Sequence, residues 1–202
     1  MLRCFLDNRK GGSAVEFALI VPVFLFFLLG IIDVGRFMWN INEAEKATQI
    51  GTRWAAATDY IAPEIFSYSY AINGGVPQGT TVPESKFGGV VCTSDGSTAT
   101  CTCTGTCTFS GPTADQDAFN RLVGRMNEIY GGIGSANVVV VYSYSGLGYA
   151  GDPIGSDVDP IVTVEVKDLQ FNPIFLAGIF GWGLPTLSYS LTMEDGEGYY
   201  SN

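Results

Sequence analysis

Four of the five cysteines, Cys92, Cys101, Cys103 and Cys107, fall within sixteen residues, and thiols that close in sequence either bind a metal or pair with one another. The spacing C-x8-C-x-C-x3-C lacks the paired C-x2-C knuckles of a zinc site, so two disulfides are the expected state. Three pairings are open, with a bridge between the near neighbours Cys101 and Cys103 disfavoured by strain. Asp152, Asp157 and Asp159, in AGDPIGSDVDP, are oxygen donors of the kind calcium takes. They have no EF-hand spacing and read first as carboxylates solvating a Gly/Pro turn, so neither a metal nor another cofactor is expected. The chain has no His, which removes Ser-His-Asp and Cys-His nucleophiles, His zinc ligands and the commonest general base near neutral pH. No P-loop or nucleophile elbow is present either. The expectation is a protein that is not an enzyme, with a hydrolase built on Asp157 and Asp159 as the weakest alternative.

The elements that must position these groups follow from the distribution of charge. In 202 residues there are 10 Lys and Arg against 20 Asp and Glu, a net charge of −10. Phosphate backbones are held by clustered Lys and Arg, so no nucleic-acid partner is expected. Charged residues make up 15% of the chain and hydrophobic ones 47%, the latter concentrated near the start. Phe17–Ile32, FALIVPVFLFFLLGII, runs sixteen residues without a charge, and Ala14, Val15 and Glu16 extend it to nineteen. At 1.5 Å per residue this makes about 28 Å of helix, close to the roughly 30 Å hydrocarbon core of a bilayer. Residues 14–32 are therefore expected to span a membrane, a buried core helix being the alternative. Arg3, Arg9 and Lys10 precede the run against Asp7, and Arg36 is the first basic residue after it, which by the positive-inside bias leaves the N-terminus cytoplasmic. The run ends in DVGRFMW rather than an A-x-A-like site, so the span is expected to be retained.

Glu16 stands just inside this run. A carboxylate in a span costs roughly a few kcal/mol, less near the interface, and is a functional hypothesis by default; the plainer reading is an acid facing headgroups beside Arg9 and Lys10. Pro22, six residues on, removes an i to i−4 hydrogen bond and is expected to kink the helix locally, either as a hinge or as a tolerated proline.

Taken together, NRKGGSAVEFALIVPVFLFFLLGIIDVGR, with the Gly11-Gly12 doublet ahead of Glu16, resembles the N-terminus of the TadE-like family, minor pseudopilins of the tight-adherence (Tad, Flp pilus) secretion system. The resemblance covers about the first 55 residues. It implies a type III (prepilin) signal peptide, cut by a prepilin peptidase between Gly11 and Gly12, because the pilin acid stands fifth after the scissile bond and Glu16 is fifth counted from Gly12. It also implies that Glu16, Phe17 and Pro22 serve assembly. Glu16, one turn from the new α-amino group of Gly12, could neutralise that amine on its own chain or on a neighbouring subunit as helices bundle, and a paired carboxylate costs less in lipid than an unpaired one. The implied partners are the prepilin peptidase, other pilins or pseudopilins of the Tad system and inner-membrane lipid. The implied location is the bacterial inner membrane, single-pass, with the C-terminal domain periplasmic. The implied role is assistance in assembling a Flp-type (type IVb) pilus, not the major subunit, since Flp-type major pilins are very short. The alternative is an uncleaved membrane-anchored extracytoplasmic binding module or adhesin. Cys4 falls in the implied leader, which leaves an even set of four Cys outside the cytoplasm, where disulfides are the expected state.

Beyond the span the helical pattern continues, with Val34, Phe37, Ile41, Ala44, Thr48 and Ala55 on one face and Glu43, Lys46 and Arg53 opposite; Glu45 and Ile50 fall on the wrong sides. A single helix over 12–58 would be about 70 Å long. Residues 73–112, rich in Gly, Thr, Ser and Pro, predict short strands and turns. Thr113–Tyr130 predicts a surface helix with Ala118, Phe119, Leu122, Val123, Met126, Ile129 and Tyr130 on its core face, capped by Thr113 or Asp115 and stopped by Gly131-Gly132. Residues 138–142, 161–166 and 187–193 predict strands. The apolar stretch Leu169–Leu184 is too broken for a second span; Phe175, Phe180 and Trp182 suit a membrane or subunit contact, with burial in the head as the alternative. The fold class expected is α+β: a leader over 1–11, a long N-terminal transmembrane pilin-like helix over 12–58, and a head over 59–202 with an antiparallel sheet, a packed helix and a disulfide-bonded loop region.

Overall fold

A computed structural model describes residues 12–177 and 182–193, apart from the side chains of Ser13 and Trp182. Expectations placed on Gly11, Phe180, the Trp182 side chain and Cys4 lie outside the described residues.

The first element, α1, is one helix from Gly12 to Ala57 that runs through Pro22 without interruption. After a single turn α2 (Glu64–Ser67), the chain forms β1 (Gly89–Ser94), β2 (Ala99–Cys103), α3 (Gln116–Asn127), β3 (Val138–Ser143), β4 (Ile161–Val166), β5 (Gln170–Phe171), β6 (Trp182–Gly183) and β7 (Leu187–Thr192). Two compact units result. One holds the described residues up to Trp39 with those of Phe171–Trp182; the other holds Asn40–Gln170 with the described residues from Gly183 on.

The larger unit is built on a five-stranded sheet ordered β2-β1-β3-β4-β7, every pair antiparallel. Alternation decides which face is buried, because successive strand side chains point to opposite sides. On β4, Val162, Val164 and Val166 are fully buried while Ile161, Thr163 and Glu165 are not. Register carries the apolar face across the sheet: Val164 opposes Val140 of β3, and Val140 opposes Cys92 of β1. The core is completed by α3, whose Ala118, Phe119, Leu122, Val123 and Met126 are buried. Asp115 caps α3, its carboxylate accepting the N–H groups of Asp117 and Ala118 at 2.9 Å, so Asp115 rather than Thr113 is the cap.

The second half of α1 contributes a face of small residues: Ala44, Ala47, Thr48, Gly51, Thr52 and Ala55 are buried. Ala44, Thr48 and Ala55 of the expected stripe are on this face, whereas its N-terminal part is corrected: Val34 is 44% exposed and Phe37 and Ile41 are half-buried. Small side chains let a helix approach its neighbour closely. A Cβ on Gly51 would stand 2.6 Å from the Met126 sulfur of α3, so any side chain there displaces Met126. The buried threonines satisfy their hydroxyls within the helix, Thr48 on the Ala44 carbonyl at 2.8 Å and Thr52 on the Thr48 carbonyl at 2.9 Å. Thr52 also donates to the Tyr189 carbonyl of β7 at 3.1 Å, which ties helix to sheet.

Candidate functional site

Three expected sites, the start of α1, the cysteine cluster and the acidic loop, are joined by one at Asp33 that holds part of the expected contact stretch Leu169–Leu184. The first is the start of α1. Large apolar side chains such as Phe17, Leu19, Ile20, Phe24 and Phe27 are exposed, and the most apolar window of the helix has no buried residue. It is one helix long and apolar enough to cross a membrane, as expected of residues 14–32. A core helix would bury one stripe of such side chains, whereas a lipid-facing helix shows them all round. Glu16 is exposed on this helix and, among the described residues, has no partner.

The second site is where the apolar run ends. Asp33, the first charge after Ile32, is fully buried. Its Oδ1 accepts the backbone N–H of Ile174 at 2.9 Å, and its Oδ2 accepts those of Phe175 and Leu176, each at 2.8 Å. Arg36 lies 3.5 Å from Oδ1. Burial pushes the Asp33 carboxyl up, but the three N–H donors with Arg36 outweigh it, so its pKa lies below the ordinary carboxylate value. The stretch anchored here belongs to Leu169–Leu184. Leu176 is buried, with its Cδ1 3.8 Å from where a Gly30 Cβ would stand, and Phe171 meets the Phe37 ring edge-on at 5.3 Å and the Arg36 guanidinium at 5.5 Å. Ile174 and Phe175 are 60% and 45% exposed. Among the described residues of the stretch, Leu169, Phe171, Leu176 and Leu184 are buried and the 174–176 backbone is held by Asp33, while Ile174 and Phe175 point outward. Nothing in the spacing of residues 33 and 174–176 signalled this pairing, although an acid directly after a charge-free run was a visible oddity.

The third site is the cysteine cluster. Cys92 bonds Cys101 and Cys103 bonds Cys107, giving the two disulfides expected and resolving their pairing. Cys92 and Cys101 stand directly opposite each other on β1 and β2, so the hairpin register itself brings them together. Its turn is held by Asp95, whose Oδ1 accepts from the Thr98 and Ser97 N–H groups at 2.8 Å and from the Ser97 hydroxyl at 2.9 Å. These donors lower the Asp95 pKa to about 2.

The fourth site is the acidic loop. Asp157 is buried, its Oδ1 accepting from the N–H groups of Gly151 and Asp152 at 2.8 and 3.1 Å and its Oδ2 from Tyr70 N–H at 2.6 Å. Asp152 accepts from the N–H groups of Ile154 and Gly155. Beside them Ser156 donates to the Ile65 carbonyl at 2.9 Å. Asp157 accepts from backbone donors and pins the loop to Tyr70, while Asp152 accepts from backbone donors and the Tyr149 hydroxyl; among the described residues no group of carboxylates and thiols is arranged to hold a metal ion.

A groove along α1 and β7 is lined by Glu45, Thr48, Gln49, Leu187, Ser188 and Tyr189, offering hydroxyls, an amide and one carboxylate. No curated protein and no solved structure matches the chain. Residues 11–53, the segment carrying Glu16, Pro22 and Asp33, match the family of TadE-like proteins.

Proposed function

We propose that this chain is a minor pseudopilin of the Tad system, a structural subunit without an enzymatic site of its own, that is cut by a prepilin peptidase after Gly11 and assists assembly of a Flp-type pilus. The match to the TadE-like family over residues 11–53 ties the helix to the Tad/Flp pilus system. The observation that carries the finer reading is the combination on that helix of apolar side chains exposed on all sides with a solitary exposed Glu16 near its start. Such a surface is suited first to lipid and then, on extraction, to lateral packing against like helices, where Glu16 neutralises an α-amino group. The N-terminus lies in the cytoplasm and the sheet unit in the periplasm, where its disulfides are stable.

A strain deleted for this chain is the test. Loss or severe reduction of surface pili, restored by the wild-type chain, is the expected result; normal pilus number in the deletion strain would overturn an assembly role.

A further inference from the structure

We propose that the loop 172–177 is a second membrane contact, set at the outer headgroup boundary beside the span and made compatible with that environment by Asp33. The inference rests on residues 14–32 being membrane-spanning, and it adds a surface that a bare anchor does not need.

Depth is the first argument. The loop is fastened to the helix at two levels: by its backbone to Asp33, directly after the charge-free run, and by Leu176 against Gly30, within that run. Gly30 lies about 3 Å further into the span than Ile32, at 1.5 Å of rise per residue. Any placement of Phe17–Ile32 in hydrocarbon therefore carries the loop to the edge of the same leaflet.

Backbone satisfaction is the second. Irregular backbone is not tolerated near hydrocarbon unless its N–H groups are paired within the protein. Here three successive N–H groups end on one buried carboxylate, with Arg36 beside it as counter-charge.

The outward side chains are the third. Ile174 and Phe175 stay exposed although their backbone is fixed to Asp33, whose helix neighbours Ile31, Ile32 and Val34 are exposed too. Together they widen the apolar surface at the point where the span meets the interface. Such a wedge fixes the depth of the helix and must be withdrawn before the subunit leaves the bilayer.

The full-length protein, reconstituted into phosphatidylethanolamine–phosphatidylglycerol vesicles, tests this with the photoreactive p-benzoylphenylalanine in place of Phe175 and, separately, of Phe24. Unirradiated samples set the background, and lipid adducts are read by mass. Adducts at both positions are expected, with Asp33→Ala lowering the yield at 175 severalfold and leaving that at 24 unchanged. Adducts at 24 with none at 175, or adducts at 175 only to another copy of the chain, would overturn the loop contact while leaving the span intact. Absence of adducts at 24 would overturn the span itself.

Discussion

Oδ2 of Asp33 lies 2.8 Å from the backbone nitrogen of Leu176, joining positions 143 apart in sequence. Because the same carboxylate also takes the N–H groups of Ile174 and Phe175, one side chain closes a turn of backbone that has no strand or helix to satisfy it. The arrangement needs the charged form. Asp33 has a lowered pKa in the folded chain against 3.8 as its ordinary value, so its stabilisation is fully present above that ordinary value and is lost as pH falls through the folded one. Protection of the 174–176 amides in hydrogen exchange should therefore be flat from neutral pH to about pH 5 and be lost only on acidification below the ordinary carboxylate range. Asp33→Ala should speed their exchange about tenfold or more at neutral pH, since hydrogen bonds to charged groups are the strong ones. Unchanged protection in that variant would show that the turn is held by something else.

Asp157 plays the corresponding part in the sheet unit, with three backbone donors on one buried carboxylate. Asp157→Ala should destabilise that unit by about 2–4 kcal/mol, the loss expected when buried donors are stranded, and Asp157→Asn by roughly half as much because one acceptor survives. Chemical denaturation of the full-length protein in detergent measures both; equal stability of wild type and the Ala variant would contradict the role assigned to the carboxylate.

These two aspartates also mark the limit of what the sequence reveals. Apolar periodicity located β4 and the core face of α3, because Val162, Val164, Val166 and Leu122, Met126 alternate at strand and helix periods. The cysteine spacing indicated disulfides but not partners, since pairing depends on the β1–β2 register that sets Cys92 against Cys101. The buried face of α1 was legible only in part: Ala44, Thr48 and Ala55 were placed on it, but Ala47, Gly51 and Thr52 have little hydropathy and signal nothing, yet close approach of α1 to Met126 requires small residues at the contact. Asp152 and Asp157 were noticed as charges, but their targets were not visible, because a backbone N–H carries no residue-specific signature in the sequence.

The disulfides should leave no reactive thiol among Cys92, Cys101, Cys103 and Cys107 in unreduced mature protein. Reduction of Cys92–Cys101, which closes a separation of 9 residues, should cost about 2–3 kcal/mol by loop-entropy reasoning. Thiol alkylation followed by mass spectrometry, with and without reductant, reads the first, and a lowered Tm in reductant reads the second. Alkylation without reductant would contradict the pairing.

The proposed role of Glu16, pairing between helices after processing rather than recognition at the scissile bond, predicts that Glu16→Ala leaves leader removal largely intact and reduces pilus number. Immunoblotting for the shortened chain together with pilus counts separates the two effects. Wild-type counts in the variant would remove Glu16 from assembly, and accumulation of the uncut chain would assign it to recognition by the peptidase.

The central claim, a processed pilin-like subunit, is tested most directly by N-terminal sequencing and intact mass of the membrane-fraction protein from cells with and without the prepilin peptidase. The predicted result is a chain that begins at Gly12 and is lighter by about 1.3 kDa, the mass of residues 1–11, only when the peptidase is present. A chain that keeps Met1 in both strains would contradict it and leave an uncleaved, membrane-anchored binding module as the better account.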